Sequence, residues 1–148
     1  MLSEKEIKRI AQHIIKENKK YLQVRFLAYK KFIEEAKKSP LIRKVLEEGS
    51  DFYELNVPSI FSHKTDTIYF NKKILAKLLR NEPGPVQKKF IKAITYHELF
   101  HFLNKKRMNS KSIGKAIMSE NKAEKDFKKL FPQLAALAAR IARKGNNE

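Results

Sequence analysis

The stretch Ile94–Leu103, ITYHELFHFL, decides how this chain is read. It holds His97 and His101, two of the four histidines in 148 residues, spaced four apart with Glu98 directly after the first. On an α-helix, positions i and i+4 lie on one face, one turn apart. Both imidazoles can therefore aim a ring nitrogen at one cation, at the ~2.0–2.1 Å zinc–imidazole distance. Glu98 sits roughly 100° further round the helix, off the line of the two rings and within reach of a water beside them. The H-E-x-x-H pattern thus divides labour between two metal ligands and one general base. The alternative is a pair of ordinary core histidines with a glutamate. Burying such groups without a shared partner is costly, and a divalent cation removes that objection.

The flanks support a buried site. From Ile94 to Leu103 every residue outside the His-Glu-His set is uncharged, although the whole chain is 33% charged. Basic residues crowd both sides (Lys88, Lys89 and Lys92; Lys105, Lys106 and Arg107). A helix this apolar is enclosed around most of its circumference. The pattern predicts a helix from about Pro85 to Lys106, opened by the breaker NEPGP.

Upstream, YELNVPSIF and TIYFN are short, rich in β-branched and aromatic residues, and separated by the polar run Ser62 to Asp66. They predict a β-hairpin, with Pro58 pushing the first strand toward an edge or a bulge. Asn71 is placed to cap a helix running through Arg80. The first third reads as helical. Ser3 and Glu6 make a capping box, and Ile7, Ile10, Ala11, Ile14 and Tyr21 recur at helical spacing. Leu22, Phe26, Tyr29, Ile33 and Ala36 continue an apolar stripe, as a second helix or an extension of the first. Ser39-Pro40 opens a helix that Gly49 closes. Met108 to Ile117 is read as a loop or short helix. Ser119 begins another helix, Pro132 restarts one with Leu134, Leu137 and Ile141 on its core face, and the tail KGNNE frays. His13 on its amphipathic helix and His63 in the hairpin loop read as surface residues.

Composition bounds the chemistry. The absence of cysteine excludes disulfides, thiolate zinc sites and thiol nucleophiles, so any metal must be held by His, Asp or Glu. The amino-terminal MLSEKEIKRI is too charged for a signal peptide, and no uncharged run approaches the ~20 residues of a membrane span. A cytoplasmic location follows as the expectation. The charge is +17 from 33 Lys+Arg and 16 Asp+Glu. Nucleic acid is a possible partner for such a chain, but the basic pairs are spread along the whole sequence rather than clustered with aromatics. High Lys/Glu usage with four glycines suits a thermophilic source.

A catalytic zinc takes three protein ligands and leaves a fourth position for water. The downstream candidates are Glu120, Glu124 and Asp126. No histidine follows His101, which excludes the metzincin arrangement.

His97-Glu98-Leu99-Phe100-His101, followed by Ser119-Glu120-Asn121-Lys122-Ala123-Glu124, resembles the gluzincin pattern of H-E-x-x-H and then E-x-x-A-D. CaaX-prenyl-protease and HtpX-like membrane peptidases share that pattern, and ImmA/IrrE-type peptidases share it more loosely. The chain is most similar to their small soluble relatives, the minigluzincins, over roughly residues 50–130. Glu124 stands where the family carries aspartate, and Phe100 where a small residue is more usual. The resemblance implies Glu120 as third ligand of one Zn2+ ion and Glu124 as an acceptor orienting a ligand histidine. It also implies a substrate-pairing edge strand at Thr67–Asn71.

The resulting expectation is an α+β, mostly helical zincin-like domain with a small antiparallel sheet beside the H-E-x-x-H helix. It spans 1–148 as one unit, with amino-terminal helices at 1–49, the motif-bearing core at 50–130, and a helix and tail at 132–148. The expected function is zinc metallopeptidase activity on peptides or unfolded proteins, with Glu98 as general base. The residue stabilising the oxyanion is not identified. One alternative is a latent or inactive zincin fold with the helix Gln133–Ala142 laid over the cleft, and another is a basic nucleic-acid-binding protein.

Overall fold

The computed structural model of the chain describes residues 1–38, 57–103 and 113–146, with side chains described for 1–38, 57–103 and 121–143. The predicted helix after Ser39-Pro40, the start of YELNVPSIF, and residues 108–112 lie outside the described residues.

Helix α1 (Glu4–Glu17) starts where its capping box predicts. Ser3 Oγ accepts the Glu6 N–H at 3.1 Å, and Ile7, Ala11, Ile14 and Ile15 are buried. It ends at Asn18, whose Nδ2 donates to the Ile14 carbonyl at 2.8 Å. Lys19 then adopts φ 55°, and the N–H groups of Lys19 and Lys20 turn back onto the carbonyls of Lys16 and Ile15 at 3.0 and 3.2 Å. This closing turn satisfies orphan carbonyls of the last helical turn. Tyr21, expected on the helical stripe, therefore lies beyond the helix and is 95% exposed.

The stripe from Leu22 to Ala36 does not form one helix. Gln23–Leu27 is strand β1, and only Tyr29–Ala36 is helical, as α2. The apolar spacing of 4 and 3 ran by coincidence across both elements. Within β1 the working period is two, with Val24 buried between exposed Gln23 and Arg25.

The predicted hairpin is present as β2 (Ser59–Ser62) and β3 (Thr67–Asn71), paired antiparallel. The sheet is mixed rather than purely antiparallel, because β1 pairs parallel to β3 with Val24 opposite Ile68 and Phe26 opposite Phe70. Its order is β1-β3-β2. β3 is thus central and buried at all five positions. That overturns the edge role expected for Thr67–Asn71: with ladders on both sides its backbone is already paired.

The two faces of the sheet differ. Val24, Phe26, Ile68, Phe70 and Phe61 join the main core with α1 and the helices that follow β3. Leu27, Ile60 and Tyr69 face Phe32, Ile33 and Ala36 of α2. Asn71 ends β3 and opens α3 (Lys72–Leu79) by accepting the Ile74 N–H on Oδ1 at 3.3 Å, as its sequence position predicts. Its Nδ2 also donates to the Val57 carbonyl at 3.3 Å, so this fully buried amide joins the hairpin to the helix.

Helix α4 (Gly84–Leu103) carries the opening stretch, and buried Gln87 holds its first turn in place. Gln87 Oε1 accepts the Leu2 N–H at 2.8 Å, while Nε2 donates to the carbonyls of Leu79 and Glu82 at 3.1 and 2.8 Å. One side chain thereby ties the amino-terminus, the end of α3 and the start of α4 together. Helix α5 (Ile113–Leu130) begins six positions before Ser119, so that serine is an interior residue rather than a cap. Helix α6 (Pro132–Asn146) starts at the predicted proline and runs past Lys144, where fraying was expected. No helix among the described residues is long and apolar enough to cross a membrane.

Candidate metal centre

Phe90, Ile94, His97 and His101 are spaced four, three and four apart, and so fall on a single stripe of α4. Phe90 and Ile94 enter the main core, and the two histidines continue that stripe toward the carboxyl end of the helix. The site is therefore a polar interruption of a core face. Glu98 and His101 are each only 4% exposed, and His97 is half-buried.

His97, Glu98 and His101 form a group whose candidate ligand atoms all lie within 4.8 Å of one another. The imidazole centroids are 4.8 Å apart with 35° between ring planes. Glu98 Oε1 lies 3.8 Å from His101 Nε2, too far for a direct hydrogen bond. His97 Nε2 and His101 Nδ1 are enclosed by protein. Adjacent Thr95 donates its hydroxyl to the Ile91 carbonyl at 2.7 Å, which satisfies it within its own helix. Two imidazoles and a carboxylate converging in a water-poor wall form a donor set that fits a metal ion. Among the described residues this is the one such cluster of three.

Aromatic side chains pack around the His97–His101 turn. Phe127 of α5 lies parallel to His97 at 6.1 Å and 19°, and it also meets Phe100 at 6.4 Å. Tyr96 stacks on Phe131 at 4.4 Å. On the other side Phe102 meets Phe61 of β2 edge-on at 5.8 Å, which brings β2 alongside the carboxyl end of α4. Phe100 packs with Ala93, Ala123 and Phe127. Phe127 was missed in the sequence; its signal was the spacing Ala123, Phe127, Phe131 on the face opposite a run of lysines.

The other sequence candidates are placed as follows. Glu120 lies in α5, with its side chain outside the described residues. Glu124 is not brought to the histidines. Its exposed carboxylate is 3.0 Å from Lys128 Nζ, because Ala123 and Phe127 take the inward face of α5 and position 124 turns outward. Asp126 pairs with Lys122 at 3.1 Å. Arg107 lies outside the described residues. His13 is exposed beside Glu17 at 3.0 Å, and His63 is half-buried in the turn between β2 and β3. Helix α6 packs Leu134, Ala135 and Ala138 on the aromatic cluster and buries Ile141 in the main core, so it is part of the core packing.

No family model, curated protein or solved structure matches this chain.

Proposed function

We propose that the chain is a zinc-dependent peptidase acting on peptides or unfolded protein, with His97 and His101 as ligands and Glu98 as general base. The observation that carries this reading is the convergence of those three side chains within 4.8 Å on one buried helical turn. Imidazole-plus-carboxylate ligation without cysteine favours zinc over softer or harder ions. Glu120 is the proposed third ligand. Its spacing supports this reading: position 120 precedes Ala123 by three and Phe127 by seven, a helical interval.

A bound zinc ion supplies the Lewis acidity that makes water nucleophilic near neutral pH. The protein's own part is proton handling. Glu98, off the line of the two rings, accepts the proton of the attacking water and delivers it to the leaving amine. Phe127, packed on His97 and joined to Phe100 and Phe131, makes an apolar wall that keeps water from that exchange.

The test is elemental analysis of never-chelated protein alongside cleavage of an unstructured protein such as casein. One zinc per chain is expected, and Glu98→Gln should keep that zinc while losing cleavage. Metal-free protein, or equal cleavage by Glu98→Gln and the wild type, would sink the proposal.

A further inference from the structure

A cleft of about 780 Å3 opens where α1 stops and β1 begins. Its lining includes Lys16, Lys19, Lys20, Tyr21, Gln23 and Asp66. We propose that this cleft binds single-stranded nucleic acid, with one base stacked on Tyr21 and the flanking phosphates held by the three lysines.

Four observations converge on that ligand. The Tyr21 ring is 95% exposed, held out because Leu22 beside it packs against the main core. A freestanding aromatic ring offers a base its π-face, in the way stacking platforms for single strands do. Lys16, Lys19 and Lys20 make no ion pair among the described residues, so their charge is available to an anion. Lys19 occupies a left-handed position, φ 55°, where glycine closes a helix without strain. A side chain is present there at a conformational cost, and it lines the cleft. Finally, Tyr21, Gln23 and Arg25 are exposed at alternate positions leading into and along β1, so the basic and aromatic line continues past the cleft for a strand to follow.

The sequence shows these lysines as one of several scattered basic pairs; the turn at Lys19 is what gathers them around an aromatic ring. The concave site disfavours a flat anionic bilayer, and the ring among cations favours a base-bearing polyanion over an acidic peptide. Asp66 is the acidic group lining the cleft. Glu17, on the same helix end, is engaged by His13.

The experiment is fluorescence anisotropy of the full chain with a labelled 12-nucleotide oligo(dT), titrated at several salt concentrations. Four variants are compared with the wild type: Tyr21→Ala, Tyr21→Phe, the triple Lys16/Lys19/Lys20→Gln, and a control triple Lys88/Lys89/Lys92→Gln of exposed lysines on α4. Tyr21→Ala should weaken binding by about tenfold or more, and Tyr21→Phe should retain it. The cleft triple should lower the log–log salt slope by about 2, at roughly 0.7 per phosphate contact. Exposure of Tyr21 leaves the core untouched by its replacement, so loss of binding cannot be ascribed to misfolding. Wild-type affinity in Tyr21→Ala, or an equal loss in the control triple, would overturn the proposal in favour of diffuse charge. Tighter binding to phosphatidylserine vesicles than to oligo(dT), with the same Tyr21 dependence, would overturn it in favour of a membrane surface.

Discussion

The ring of Phe127 lies parallel to that of His97, 6.1 Å between centroids and 19° between planes. The α5 helix therefore packs directly on a proposed ligand. Phe127 is 6% exposed, so Phe127→Ala should cost about 3–5 kcal/mol of folding stability. Phe127→Leu should retain most of the stability yet weaken zinc binding, because it fills the space without holding the imidazole plane. Urea unfolding and zinc titration of the two variants check this; unaltered zinc affinity in both would remove Phe127 from the site.

Removal of either histidine should abolish metal-dependent stabilisation. Zinc at 100 times its Kd should stabilise the wild type by about 2.7 kcal/mol, and His97→Ala or His101→Ala should unfold at the same temperature with and without zinc. Calorimetry with and without added metal decides the matter. A persisting zinc-dependent shift in both variants would place the ion elsewhere.

Glu120 and Glu124 have opposite expected outcomes. Glu120→Ala should lower metal affinity by more than the ~10–100-fold that loss of an outer-shell partner costs. Glu124→Ala removes an exposed carboxylate paired with Lys128 and should leave affinity and stability unchanged, since exposed pairs contribute about 0–1 kcal/mol. A reversed pattern, read by competition with a chromogenic zinc chelator, would exchange the two assignments.

Gln87 tests the fold independently of the metal. Its replacement by leucine leaves the Leu2 N–H and the Leu79 and Glu82 carbonyls without the amide that satisfies them. A destabilisation of about 1–3 kcal/mol follows, with no change in zinc stoichiometry. Stability within experimental error of the wild type would show that these groups find other partners.

Local relationships were readable from residues alone. Ser3, Asn71 and Pro132 each begin a helix because a cap acts within three residues of itself. The His97–Glu98–His101 grouping likewise depends only on the pitch of one helical turn. Helix α5 starts earlier than its sequence suggests: Ser119 looks like a cap, whereas the helix runs from Ile113. The strand β1 was missed because Phe26 and Tyr29, three apart, imitate a helical stripe across an element boundary.

What the sequence determined by itself is therefore the short-range part: the caps, the hairpin between β2 and β3, and two imidazoles on one face of an apolar helix. Only the tertiary structure decided that β1 joins β3 in parallel, making Thr67–Asn71 central instead of an edge. It alone turned Glu124 outward to Lys128 and set Phe127 against His97, and it gathered Lys16, Lys19 and Lys20 around Tyr21. The physical reason is range: helical pitch and capping bonds act over three or four residues, whereas strand pairing and the inward face of a helix depend on partners distant in the chain.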